Sequence, residues 1–254
     1  MTDSTRRDFL KTASAGSAGL LLAGIGGQAV AADAPKVAVP VTNDPPVFAV
    51  IHQPKPLNFD AAKLPGLSEK MIRSHWENNY GGAVKTLNAV NKQLAMALAN
   101  KETPPWAYND LKREHLARTG SVVLHEFYFD SLGGDGKADA ELRTQIGSVF
   151  GSFDTWETEF RKIGTGLGGG SGWVVFGYNL HTDQIENYWL ADHLHSPAAT
   201  LPLLVMDMYE HAYQIDYGAA AAKYVDAFFQ NIRWEEVSAR LAQAHRFKSL
   251  PASA

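Results

Sequence analysis

Asp207-Met208-Tyr209-Glu210-His211-Ala212-Tyr213 is the stretch on which the reading of this chain turns. It follows directly on Leu201 to Met206, an apolar run of strand length. A carboxylate at a buried strand end is costly unless it is paired or bound to a metal. His211 comes four residues later, so both side chains can aim at one ion if the strand turns into a helix here. Alone, a D-x-x-x-H pair is most often a surface or structural contact. The reading therefore depends on ligands supplied from elsewhere in the chain.

Upstream, Met71, Ile72, Trp76, Val84, Leu87, Val90, Leu94 and Leu98 recur at mostly helical intervals. Gly81-Gly82 is expected to kink or split this helix. A second helical stretch runs from about Trp106 to Leu132 and stops at Gly133-Gly134. The two make a hairpin about the connection 100–105. Two shorter helices fill 139–163, followed by a Gly-rich segment, 164–172. Trp173 to Tyr178 and Gln184 to Leu190 read as strands around a turn near 179–183. Helices around 219–230 and 234–245 close the chain. The expected fold is α+β: an N-terminal helical hairpin over 57–134, then an α/β region over 135–250 with a three-stranded antiparallel sheet.

Composition sets the outer bounds. The chain has 254 residues, 45% of them hydrophobic, a net charge of −4, nine His and no Cys. It can therefore form a real core, and its net charge argues against a general nucleic-acid binder, which normally carries a basic face. Without thiols there is no disulfide, thiolate metal site or cysteine nucleophile. Any metal must sit on His, carboxylates or backbone oxygens.

The first 31 residues read as an address. Arg6-Arg7 is followed by Asp8-Phe9-Leu10-Lys11 and an uncharged, small and apolar run to Val30. Ala29-Val30-Ala31 fits a small-x-small cleavage site. Ser4 to Lys11 resembles the twin-arginine export signal. Removing 1–31 takes three basic and two acidic residues, moving the net charge from −4 to −5. The mature protein is expected in the periplasm or outside the cell, after passage through the twin-arginine translocase and without stable membrane insertion. Residues 32–56 carry six prolines and read as an extended arm.

Several segments together resemble the iron/manganese superoxide dismutases. Asp207 to Tyr213, Ala222 to Phe228 and Asn231 to Val237 are similar to the family's C-terminal signature. Phe150 to Phe153, Gly170 to Trp173, His125 to Phe129, and Leu67-Ser68 through His75 to Asn88 are similar to further family segments. The similarity covers roughly 57–245 in the family's order. It implies one Fe or Mn ion per subunit on His75, His125, Asp207 and His211, with superoxide as substrate and a homodimer as the assembly. It also implies that Glu210 reaches across the dimer interface to the partner's ligand equivalent to His211.

Around these ligands the chain departs from the family's pattern. Ala83 stands where a gateway Tyr is usual, Asn79 for a His, Gln214 for a Tyr that meets that His across the interface, and Tyr209 for a Trp. Ser121 and Ala191 occupy the two places that supply a Gln to the metal-bound solvent. His193, His195 or Tyr80 is expected to compensate, with Trp173, Tyr209, Asn79 and Gln214 around the site. The alternative is an exported homologue that binds metal without dismutase activity.

Overall fold

Ser68 starts the first helix. Its Oγ accepts from Met71 N–H while its own N–H and hydroxyl donate to Asp216, at 2.7 and 2.6 Å. The computed structural model describes residues 45–248; the proposed leader and the first part of the arm lie outside them. Helix α1 (Glu69–Ser74) passes into a single π-helical segment, His75–Tyr80, and then into α2 (Gly81–Ala99). Gly81 keeps helical angles (φ −61°, ψ −37°), so the expected break at Gly81-Gly82 does not occur. The irregularity lies one turn earlier, where Gly81 N–H bonds back five residues to Trp76 C=O. Such π-bulges cluster at functional sites.

Helix α3 (Pro105–Asp130) returns antiparallel to α2. From the arm, Phe48 packs on Val90, Leu94 and Ala95. The arm is laced further to α2 by His52, whose N–H and C=O both bond the Asn88 amide at 2.9 Å. Asp139 and Ser152 cap α4 (Ala140–Phe150) and α5 (Phe153–Leu167), supplying acceptors that first-turn N–H groups otherwise lack.

Strands β1 (Trp173–Asn179), β2 (Gln184–Leu190) and β3 (Thr200–Asp207) form an antiparallel sheet in the order β2-β1-β3. The central strand is buried along nearly its whole length, which explains its continuous apolar sequence rather than an alternating one. Its register sets Trp173 opposite Asp207 on one side and Leu190 on the other. The chain then makes a short 3-10 turn (Glu210–Ala212) and helices α6 (Gln214–Tyr217), α7 (Ala221–Gln230) and α8 (Trp234–Lys248). One hydrophobic core, from Ala61 to Ala244, is shared by the helical part and the α/β part. None of the described helices is long and apolar enough to cross a membrane.

Candidate metal centre

Four elements deliver one side chain each to a common point. His75 opens the π segment, His125 lies on α3, Asp207 ends β3 and His211 sits in the 3-10 turn. Their ligand atoms all lie within 4.8 Å of one another. The three imidazole Nε2 atoms converge on Asp207 Oδ2, at 3.1 Å from His75, 3.6 Å from His125 and 3.1 Å from His211. His75, His125 and Asp207 are fully buried, whereas the His211 side chain stays 24% exposed.

Local chemistry orients each group. Asp207 Oδ1 accepts from Tyr209 N–H at 2.8 Å, which leaves Oδ2 to face the histidines. Tyr224 donates to the Asp207 carbonyl at 2.8 Å, pinning the strand end. His125 Nδ1 donates to the Ser121 carbonyl at 2.7 Å, so its Nε2 carries a bare lone pair. His75 Nε2 and His125 Nε2 are buried without any hydrogen bond. Orphaned buried nitrogens of this kind cost about 1–3 kcal/mol each unless something takes the lone pair. Three nitrogens and one carboxylate oxygen suit a first-row ion such as Fe or Mn, with room for further coordination.

The electrostatics agree with that donor set. Burial opposes the charge on Asp207, but His211 and His75 outweigh it and hold the carboxyl well below its ordinary range. Burial lowers His75, against the pull of Asp207. Burial and the neighbouring His75 push His125 down to about 3. A carboxylate at Asp207 and neutral imidazoles at His75 and His125 are protonation states that metal ligation requires.

Around this group Tyr128 and Phe129 pack on the His75 ring, at 5.1 and 4.9 Å. Trp173 meets His125 edge-on at 5.0 Å, and its Nε1–H donates to His193 Nδ1 at 3.0 Å. His193 stacks on Tyr209 at 4.7 Å, and Tyr209 stacks on His211 at 5.3 Å. Burial lowers His193, while Asp207 pulls the other way. A cleft of about 300 Å³ opens onto His125, His193 and His211. Asn79 and Arg118 stand in its walls.

Not every expected residue reaches this point. Tyr80 is buried with its ring 6.2 Å from that of His125, but its hydroxyl is turned to the Lys55 N–H (2.8 Å) and Glu126 (3.1 Å). Burial raises it to about 12. His195 is half exposed, bonds Asp192 at 3.1 Å and lies against Trp189, so the structure does not bring it to the cluster. Glu210 and Gln214 are exposed, and the Glu210 carboxylate takes no partner among the described residues. Sequence reasoning missed Arg118 and Gly120. Arg118 lies two turns before His125 and hence on the same face of α3, a spacing that could have marked it. Nothing local marks Gly120: a Cβ there would lie 1.9 Å from the His193 carbonyl oxygen, so its lack of a side chain admits that loop.

Comparison with known proteins places this geometry in context. Residues 138–240 match the family model described as "Iron/manganese superoxide dismutases, C-terminal domain". The "Superoxide dismutase [Fe]" of Cupriavidus metallidurans is 51% identical over 197 residues, 78% of this chain and 100% of the relative. The "Superoxide dismutase [Fe]" of Aquifex aeolicus is 32% identical over 202 residues, 76% of this chain and 93% of the relative. The "Superoxide dismutase [Mn]" of Mycobacterium intracellulare is 33% identical over 193 residues, 74% of this chain and 91% of the relative.

Proposed function

Because the chain belongs to the iron/manganese superoxide dismutase family, we propose that it is itself a superoxide dismutase, with one Fe or Mn ion per subunit on His75, His125, Asp207 and His211. Two superoxide anions and two protons become O₂ and H₂O₂, one superoxide being oxidised and the other reduced. The bound ion supplies the one-electron couple for the two half-reactions. The observation that carries this reading is the convergence of three imidazole Nε2 atoms on Asp207 Oδ2, two of them buried and otherwise unpartnered.

The chain's own residues supply orientation and charge. Asp207 contributes the single negative charge of the ligand set. Ser121 C=O fixes the His125 tautomer, an outer contact that both aims the ring and raises its basicity. His193 takes over the hydrogen-bonding duty left open by Ser121 and Ala191. Its Nδ1 accepts from Trp173, so the neutral ring keeps its proton on Nε2, available as a donor toward the cleft. Tyr80 serves as an aromatic wall whose hydroxyl ties the π segment to the arm.

The same reading extends to assembly and location. Exposed Glu210 and Gln214 stand beside the ligand turn, as a homodimer interface there requires. The leader Arg6-Arg7 with Ala29-Val30-Ala31 supports export by the twin-arginine route to the periplasm or beyond. The decisive experiment loads the mature protein with Fe or with Mn, measures bound metal and assays superoxide removal. Superoxide loss at catalytic protein concentrations is expected. Full loading with Fe and, separately, with Mn, both without activity, favours instead a metal-binding homologue without dismutase activity. Light scattering is expected to give twice the chain mass; a clean monomer removes the role given to Glu210.

A further inference from the structure

We propose that Arg118 is the anion guide of the cleft, its guanidinium drawing the small anionic substrate toward the metal-binding cluster. The inference rests on the dismutase reading for the identity of that anion. Its physical basis is the wall of the cleft itself. Apart from the histidines, that wall is neutral: it includes the amides Asn78 and Asn79 and the hydroxyls Thr86 and Ser121. Arg118 is its one residue of permanent charge. The chain as a whole is negative, −4. An anion approaching such a surface is repelled unless one sign of charge is focused locally at the entrance.

The side chain is held for this task. Arg118 sits on α3 two turns before His125, so both project from one helix face. Its Nε–H donates to Glu114 at 2.6 Å, an i,i+4 pair that fixes the stem. The side chain is 37% exposed, and the two Nη groups take no partner among the described residues. Glu114 is not part of the cleft wall. Of the pair only Arg118 borders the cleft, and its two Nη groups keep donors for a passing anion. An ordinary surface pair of this kind contributes little to stability. Its effect is expected on anion access, not on folding.

The test compares the metal-loaded wild type with R118Q, R118K and R118E at equal metal content. One readout is the azide dissociation constant from optical titration of the bound metal. The other is the second-order rate constant with superoxide as a function of ionic strength. Removing one unit charge beside an anion's path in watery surroundings changes both by about two- to fourfold. R118Q is expected to weaken azide and slow superoxide by that factor at low salt, and to flatten the salt dependence. R118E is expected to do more, and R118K to stay near wild type. The differences should shrink near 1 M salt, where screening acts over about 3 Å. R118Q with wild-type azide affinity and an unchanged salt slope overturns the proposal, as does R118K behaving like R118Q. A metal-loaded wild type inert to superoxide sinks the dismutase reading alone; the azide titration then decides the role of Arg118 by itself.

Discussion

Replacing Gly120 by Ala tests how the outer part of the site is built. Gly120 lies inside α3, next to Ser121 and five residues before His125. A Cβ at this position meets the His193 carbonyl oxygen at 1.9 Å and its carbonyl carbon at 3.0 Å. Both are backbone atoms, so no rotamer change relieves the clash. Bringing the oxygen back to 3.0 Å requires a retreat of at least about 1.1 Å. If His193 moves with its backbone, the 3.0 Å bond from Trp173 Nε1 passes beyond hydrogen-bonding range. Three terms decide the sign. Helix propensity favours Ala by about 1 kcal/mol. Overpacking against fixed backbone costs about 1–3 kcal/mol. The lost hydrogen bond costs about 1 kcal/mol more. The net is a loss of roughly 1–3 kcal/mol, or about 3–10 °C in Tm for a chain of this size. Gly166 on α5 has nothing within 4 Å of the place a methyl would take and serves as the control, where Ala should be neutral or stabilising. Thermal unfolding, with near-UV circular dichroism of the tryptophans, reads both effects. G120A melting as high as G166A, with an unchanged tryptophan signal, would refute the reasoning.

Other expectations follow from the same contacts. Asp207→Asn removes the only anionic ligand at nearly constant shape, so metal content by mass spectrometry should fall at least tenfold and superoxide removal should disappear; full occupancy would contradict the ligand assignment. Tyr80→Phe leaves the Lys55 N–H without its acceptor. It should lower the free energy of urea unfolding by about 1–2 kcal/mol, whereas an unchanged midpoint would show that the arm is not anchored there. Burial, reinforced by Asp183, raises Tyr178 to about 12, and burial raises Tyr80 likewise. Above pH 10 the unfolded chain releases these protons while the folded chain keeps them, so stability should be level below pH 10 and fall between about 10 and 12. Urea midpoints across that range should fall less steeply in Tyr178→Phe; an identical slope would count against the raised tyrosine.

How much of the fold is legible in the sequence depends on whether the signal is local. The bounds of α3, α5, β1 and β3 follow from prolines, caps and apolar runs, all written within a few residues. The π segment is not legible. Two glycines advertise a break, yet glycine accepts helical angles when packing demands them, and the extra residue per turn leaves no mark in hydrophobic spacing. The 3-10 turn at Glu210–Ala212 and the four-residue α6 are shorter than any periodicity can resolve.

The site divides along the same line. Asp207 and His211 lie four residues apart and advertise one another, whereas His75 and His125 lie 50 residues apart on different helical segments and are connected to them only through the family resemblance. The loop after β2 offers His193 and His195 on equal terms. What separates them is tertiary. Trp173, set opposite Asp207 by the sheet register, presents its Nε1–H to His193, and Gly120 on α3 makes room for that residue's carbonyl. His195, two residues on, has Asp192 and solvent instead. The outer part of the site is thus a property of three elements at once. Replacing His193 alone by Ala would therefore remove the acceptor of Trp173 Nε1 and leave that buried N–H unpaired.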